Sequence, residues 1–140
     1  MNAATQNKNV VVRFNKECIE LGIESSFEEI LADNVINHSA PPGSPNGKES
    51  FYFFLNDVLR KGFPGLQVTI LEQLAERDLV TTRKIIRATH TGEIFGITPT
   101  NKQVAIHVID IVRLSNGKYI EHWGQSNFSD VIKYISSREI

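Results

Sequence analysis

Residues 103–114 read QVAIHVIDIVRL, and the positions that alternate from Val104 are apolar with a single exception. Side chains along a strand point to opposite faces in turn, so Val104, Ile106, Val108, Asp110 and Val112 share one face. Asp110 is the only ionisable group on it. Similar β-branched runs occupy Gln67 to Leu74, Leu79 to His90 and Tyr119 to Asn127, which predicts four strands. Glu76-Arg77-Asp78 and Ser115-Asn116-Gly117 carry hairpin turn chemistry, and consecutive hairpins imply an antiparallel sheet. Gly92 to Lys102 forms a longer connection, and a short helix over Asp130 to Ile135 closes the chain.

Upstream of Gln67 the apolar period changes to that of helices. Val10, Val11, Phe14, Cys18 and Leu21 predict a first helix, with Gly22 where a left-handed C-terminal cap would sit. Ser25 and Glu28 form a capping-box pattern ahead of a short second helix ending near Asp33. Phe51, Phe54, Leu55, Val58 and Leu59 line a third, which Gly62 and Pro64 terminate. Between the second and third, Val35 to His38 leads into Ala40 to Gly47, whose prolines and glycines predict an irregular loop suited to a pocket lid. Helices first and a meandering sheet after is an α+β order, in which a curved sheet wraps around N-terminal helices as a cone and leaves an internal pocket.

Composition narrows the function. The 140 residues, 41% hydrophobic and 22% charged, suit a single domain over residues 1–140. A formal net charge of -1 provides no basic stripe, so nucleic acid is not an expected partner. The one cysteine, Cys18, excludes an internal disulfide, and the four histidines show no zinc-site spacing. Met1 to Lys8 is polar, and no run approaches the ~18 apolar residues of a membrane span. A cytoplasmic protein without a membrane partner is expected.

The candidate chemistry centres on Asp110. Among apolar neighbours its pKa is expected to rise by desolvation, as suits a proton donor or shuttle; the structural alternative is an ion pair with Arg83 or Arg87. In the last strand Ile120, His122, Gly124 and Ser126 share a face, so His122 beside Asp110 would form an acid-base pair. His38, His90, Arg83 and Trp123 are the side chains expected to contact a ligand, Trp123 serving equally well at a dimer interface. His107 lies on the face opposite Asp110. Neither a phosphate-binding glycine fingerprint nor a nucleophile elbow around Ser44 is present.

One stretch is less generic. Residues 89–100, THTGEIFGITPT, resemble the THxGxxxGxxPTG-like segment of SnoaL-like polyketide cyclases through His90, Gly92, Gly96, Pro99 and Thr100. Asp110 and Arg113 are similar to the family's GxDxxR-like strand, and Gly117, Lys118, Glu121, His122 and Trp123 to its GKIxEHW segment. Phe63-Pro64-Gly65-Leu66 resembles the FPDL step, and His38 an early pocket histidine. The resemblance implies the cone-shaped fold of nuclear transport factor two, ketosteroid isomerase and scytalone dehydratase, usually dimeric and without cofactors. It also implies a buried aspartate acting as acid-base in an intramolecular aldol closure. Where relatives often read EHWDxxD, this chain has Gly124 and Asn127, neither of which carries a carboxylate.

Two functions follow as expectations. The first is a cofactor-free cyclase, isomerase or lyase acting on a small apolar carbonyl or ester compound, with Asp110 and His122 as catalytic residues. The alternative is a non-catalytic ligand-binding or dimeric scaffold protein. A small-molecule ligand and a homodimeric partner are expected in either case, and no metal.

Overall fold

The computed structural model describes residues 2–137. Helix α1 (Ala3–Arg13) starts at Asn2, whose side chain accepts from the Thr5 N–H, and runs on into a wider π-helical turn over Phe14–Glu20. There Leu21 N–H reaches back five residues to the Lys16 carbonyl at 3.0 Å, and Gly22, at φ 68°, ends the helix as expected. Helix α2 (Glu24–Ile30) is entered from Ile23 with no side-chain cap. The Ser25–Glu28 capping box is therefore not formed, because Ser25 already lies inside the helix. Helix α3 (Lys48–Tyr52) widens in the same way over Phe53–Leu59 and finishes with the turn Arg60–Gly62.

The sheet has five strands where four were expected: β1 (Leu31–Asn37), β2 (Gln67–Glu76), β3 (Leu79–Thr89), β4 (Gln103–Ser115) and β5 (Lys118–Ser126). Their order is β1-β5-β4-β3-β2. The three pairings from β2 to β5 are antiparallel, but β1 lies parallel to β5, so the sheet is mixed. Both anticipated hairpins form. Glu76 pairs with Leu79 across a two-residue turn, and Ser115 with Lys118 across Asn116 and Gly117, both at positive φ as a primed turn requires. Register shifts in β1–β5, β2–β3 and β4–β5 add twist and bend to the sheet.

Helices cover one face of this sheet. Val11, Phe14, Phe27, Ile30, Leu59 and Phe63 from the helical half meet Val80, Ile86, Ile106, Val112 and Tyr119 from the strands in one core cluster, which helix α4 (Phe128–Ser136) closes with Val131 and Ile135. The other face leaves Ile109 and Ile111 of β4 and Leu74 of β2 exposed. No helix among the described residues is long and apolar enough to cross a membrane.

Candidate functional site

Alternation along β4 turns Asp110 inward, as its apolar neighbours predict, and the sheet register decides what meets it. Asp110 stands opposite Thr82 on β3 and Gly124 on β5. Lys84, two residues beyond Thr82, and His122, two residues before Gly124, occupy the neighbouring inward positions. Cross-strand diagonals of this kind lie within reach of long side chains. Lys84 Nζ is 3.1 Å from Asp110 Oδ2, and His122 Nε2 is 3.6 Å from the same oxygen. Asp110 is 5% exposed and Lys84 4%.

The expected ion pair therefore exists, but its cation is a lysine. Arg83 points to the outer face, where its Nε donates to Glu72 at 2.7 Å, and Arg87 is exposed on that face too. The direction expected for the Asp110 pKa is also reversed. Burial, the largest single influence, pushes it up; the charge and hydrogen bond of Lys84, with the His122 ring close by, outweigh burial and hold the carboxyl at about 2. Asp110 is a carboxylate, and its Oδ1, buried as deeply as the rest, has no hydrogen-bond partner among the described residues.

Strand β1, unanticipated from the sequence, orients the histidine. Asn37 is paired in register with His122. Its Nδ2 donates to Ser50 Oγ at 3.2 Å, while its Oδ1 accepts from Ser39 N–H at 3.1 Å and lies 3.0 Å from His122 Nδ1. An oxygen in that role accepts from Nδ1–H, which leaves Nε2 as the ring nitrogen facing Asp110. Phe51 packs edge-on against the ring, with centroids 5.5 Å apart. At Gly124 a Cβ would stand 3.2 Å from His122 Cε1, so the glycine leaves the imidazole its space.

The other ligand-contact candidates lie elsewhere. His38 Nε2 donates to the Glu121 carboxylate at 2.8 Å and its ring stacks flat on Trp123, with centroids 4.7 Å apart, while Arg113 holds Glu121 from the other side at 2.9 Å. His90 follows the far end of β3, eight residues from Thr82 and so about 25 Å away at ~3.3 Å per residue. It is fully buried; Thr100 N–H donates to its Nδ1 at 3.2 Å, with the Thr100 hydroxyl at 2.9 Å. The two best-formed clefts, one lined by Cys18, Phe27, Tyr52 and Arg60 and one by Val104, Asn127 and Tyr134, reach neither Asp110 nor His122.

Residues 9–134 match the family model of the SnoaL-like polyketide cyclases. The chain belongs to that family. Its fold agrees with the crystal structure of a candidate SnoaL-like polyketide cyclase from Jannaschia sp. CCS1, at 25% identity, a TM-score of 0.84 and coverage of 99% of this chain and 98% of that one. A candidate polyketide cyclase from Bacillus cereus ATCC 10987 is similar at 25% identity, with a TM-score of 0.79 and coverage of 94% and 81%. The fold is shared by IdmH of Streptomyces antibioticus at 23% identity, with a TM-score of 0.81 and coverage of 94% and 99%. No curated protein matches the chain in sequence.

In this member of the SnoaL-like family the THTGEIFGITPT segment builds a loop far from Asp110 and His122. His90 staples it through Thr100 and through backbone bonds to Lys102 and Asn101. Burial lowers the His90 pKa from its ordinary 6.5. A histidine whose folded pKa is depressed contributes stability above its unfolded pKa and loses it as pH falls below that value. The lowered carboxylates Glu17, Glu20, Glu29 and Glu121 act only below about 4.5. Denaturant midpoints are therefore expected to fall between pH 7 and pH 5, with a smaller drop in His90→Gln; an equal drop in both proteins would remove His90 as the cause.

Lys84 and Asn37 are the site residues that the sequence reading missed. For Lys84 a signal exists: Val80, Thr82, Lys84 and Ile86 share the parity of the core face of β3, as Arg83 and Arg87 do not. For Asn37 there is none, since a parallel partner leaves no local mark.

Proposed function

We propose that this protein is a cofactor-free acid-base protein of the cyclase, isomerase or lyase type that acts on a small carbonyl compound, with Asp110 as base and His122 as acid. The observation that carries the reading is Asp110 Oδ1, an ionised, buried oxygen with no partner among the described residues. Buried polar atoms without partners are rare in folded proteins and mark sites whose partner arrives from outside. Membership of the SnoaL-like family supports a small-molecule, cyclase-type function.

In this reading the C–H bond next to a carbonyl breaks, its proton passes to Oδ1, and the electron pair moves onto the carbonyl oxygen, which His122 Nε2–H protonates or holds. A carboxylate held this low is a weak base, so the carbon has to be acidified, as between two carbonyls. The test is deuterium exchange into simple 1,3-dicarbonyl compounds in D2O, followed by NMR. Exchange above the buffer rate that vanishes in Asp110→Asn supports the proposal; buffer-rate exchange by the native protein across the panel overturns it.

The rival reading, a non-catalytic binding protein, is favoured by one observation: neither cleft opens onto the pair. Access to Oδ1 requires movement of what covers it, and the segment 38–47 runs beside this part of β5. Ser39 Oγ accepts from Gly124 N–H at 2.7 Å and donates to its carbonyl at 3.2 Å, pinning the segment beside the pair. Retention of a small molecule in native mass spectrometry without catalysed exchange would favour the binder.

We also propose a homodimer formed through the outer sheet face. Ile109 is 52% exposed and Ile111 37%, with Trp123 paired to Ile111 across the strands. Arg83 and Glu72 flank the apolar strip with opposite charges that a two-fold copy could match. Ile109→Glu is expected to shift a native dimer to monomer in sedimentation velocity without loss of secondary structure. A native monomer at the same concentration would exclude the interface. The single Cys18, buried and unpaired, fits a reducing cytoplasm.

A further inference from the structure

We infer that Lys84, held in place by Asn15, is the positioning residue that keeps Asp110 ionised and leaves its Oδ1 as the oxygen open to a substrate proton. The inference deepens the acid-base reading above and rests on it.

A buried carboxyl can rest protonated and neutral, or ionised. Desolvation alone favours the neutral form, because the carboxylate loses hydration on burial. A nearby opposite charge reverses that preference. Lys84 extends from β3 into the core between Thr82 and Ile86, and its ammonium sits between two acceptors, Asn15 Oδ1 at 2.7 Å and Asp110 Oδ2 at 3.1 Å.

Asn15 is not free to swivel. It is 1% exposed and its Nδ2 donates to the Val11 carbonyl at 2.9 Å, which commits its Oδ1 to accepting. It lies where α1 widens into its π-helical turn, so the helix irregularity presents an amide oxygen to a lysine on the sheet. The ammonium thus donates one hydrogen to a fixed neutral acceptor and one to the carboxylate.

The remaining groups facing Asp110 add no competing charge. From β5, the Tyr119 phenol is raised well above its ordinary range by burial and stays neutral; from α1, the Cys18 thiol near it is pushed by burial to about 12. Thr82, Asn15 and Asn37 are neutral, and Phe51 carries no ionisable group. Lys84 and His122 are the two groups through which the carboxylate is held.

Because Lys84 and His122 share Oδ2, the opposite oxygen, Oδ1, is left unengaged. The lysine therefore does more than supply charge: it fixes which oxygen is available as base. A lysine in this position marks a protein whose aspartate begins its cycle deprotonated.

The test is carboxyl carbon-13 NMR of Asp110 against pH, with ring-carbon signals of His122 followed in the same samples. In the native protein Asp110 is expected to remain ionised down to the lowest pH at which the fold persists. In Lys84→Met its midpoint should rise by about one to three units, the range an adjacent opposite charge produces. Lys84→Gln, which keeps a donor but no charge, should shift it in the same direction and guards against a Met variant that fails to fold, while Lys84→Arg should keep the midpoint low. An unchanged midpoint in a folded uncharged variant overturns the inference, and so does native Asp110 titrating in the ordinary carboxylate range. The readout needs no substrate. Raised midpoints without any catalysed exchange would sustain the role of Lys84 and defeat the catalytic proposal, and the converse result would do the opposite.

Discussion

Replacing Asp110 by Asn is expected to slow the exchange of an acidified C–H bond by about 10²–10⁴-fold, the usual contribution of a positioned base. The amide keeps the shape of the carboxyl, so the strand register and the packing of Val112 and Ile106 are retained. What it lacks is the ability to accept a proton at the position of Oδ1. The loss should fall on kcat more than on KM if substrate contacts are otherwise preserved, since proton transfer occurs only in the transition state. A cost in stability is also expected, because Lys84 then sits buried without its counter-ion. Circular dichroism and a melting curve separate the two effects. A folded Asp110→Asn protein with exchange within twofold or so of native would assign the base elsewhere.

Gly92→Ala is expected to be the most damaging single-methyl change in the chain. A Cβ at Gly92 would lie 1.8 Å from the Lys61 carbonyl oxygen, and the Gly92 N–H already donates to the Gly62 carbonyl at 3.1 Å. Two backbones are in contact here, and neither can yield as a flexible side chain would. Gly62 is crowded in turn by Ile94, with its own added Cβ at 2.9 Å from that side chain. The end of α3 and the loop after β3 must therefore separate, at a cost of about 3 kcal/mol or more. Gly96 provides the comparison. It needs positive φ, at 75°, but an added Cβ meets nothing within 4 Å, so Gly96→Ala should cost only about 1 kcal/mol. Denaturant melts of the two variants that gave equal losses would refute the close approach.

The strands from β2 onward were legible because each carries its own alternation and its own turn chemistry, down to the Asn116-Gly117 hairpin. The capping box at Ser25 and Glu28 misled because α2 is entered two residues earlier, with Ile23 rather than Ser25 in the cap position. Strand β1 was hidden by composition. Its burial runs as two buried, two exposed and then irregular, and a parallel neighbour far along the chain leaves no periodic trace. At the site, Asp110 and His122 were found by face-sharing, but a register shift places Tyr119 rather than Ile120 in the core beside them. The charge state went the other way from expectation because it depends on a group on β3 that the reading of β4 alone did not include.

The parallel seam between β1 and β5 has a consequence for how the protein comes into being. The hydrogen bond that orients His122 joins residues 85 positions apart, and the strand that supplies the histidine is synthesised after β2, β3 and β4. Contacts of such long sequence separation form late, after local hairpins have already paired. The meander of β2, β3 and β4 can thus assemble with Asp110 and Lys84 in place while the histidine is still unsynthesised. A chain interrupted before β5 leaves the edge of β4 unpaired, and His122 comes up to Asp110 only once β5 has joined the sheet.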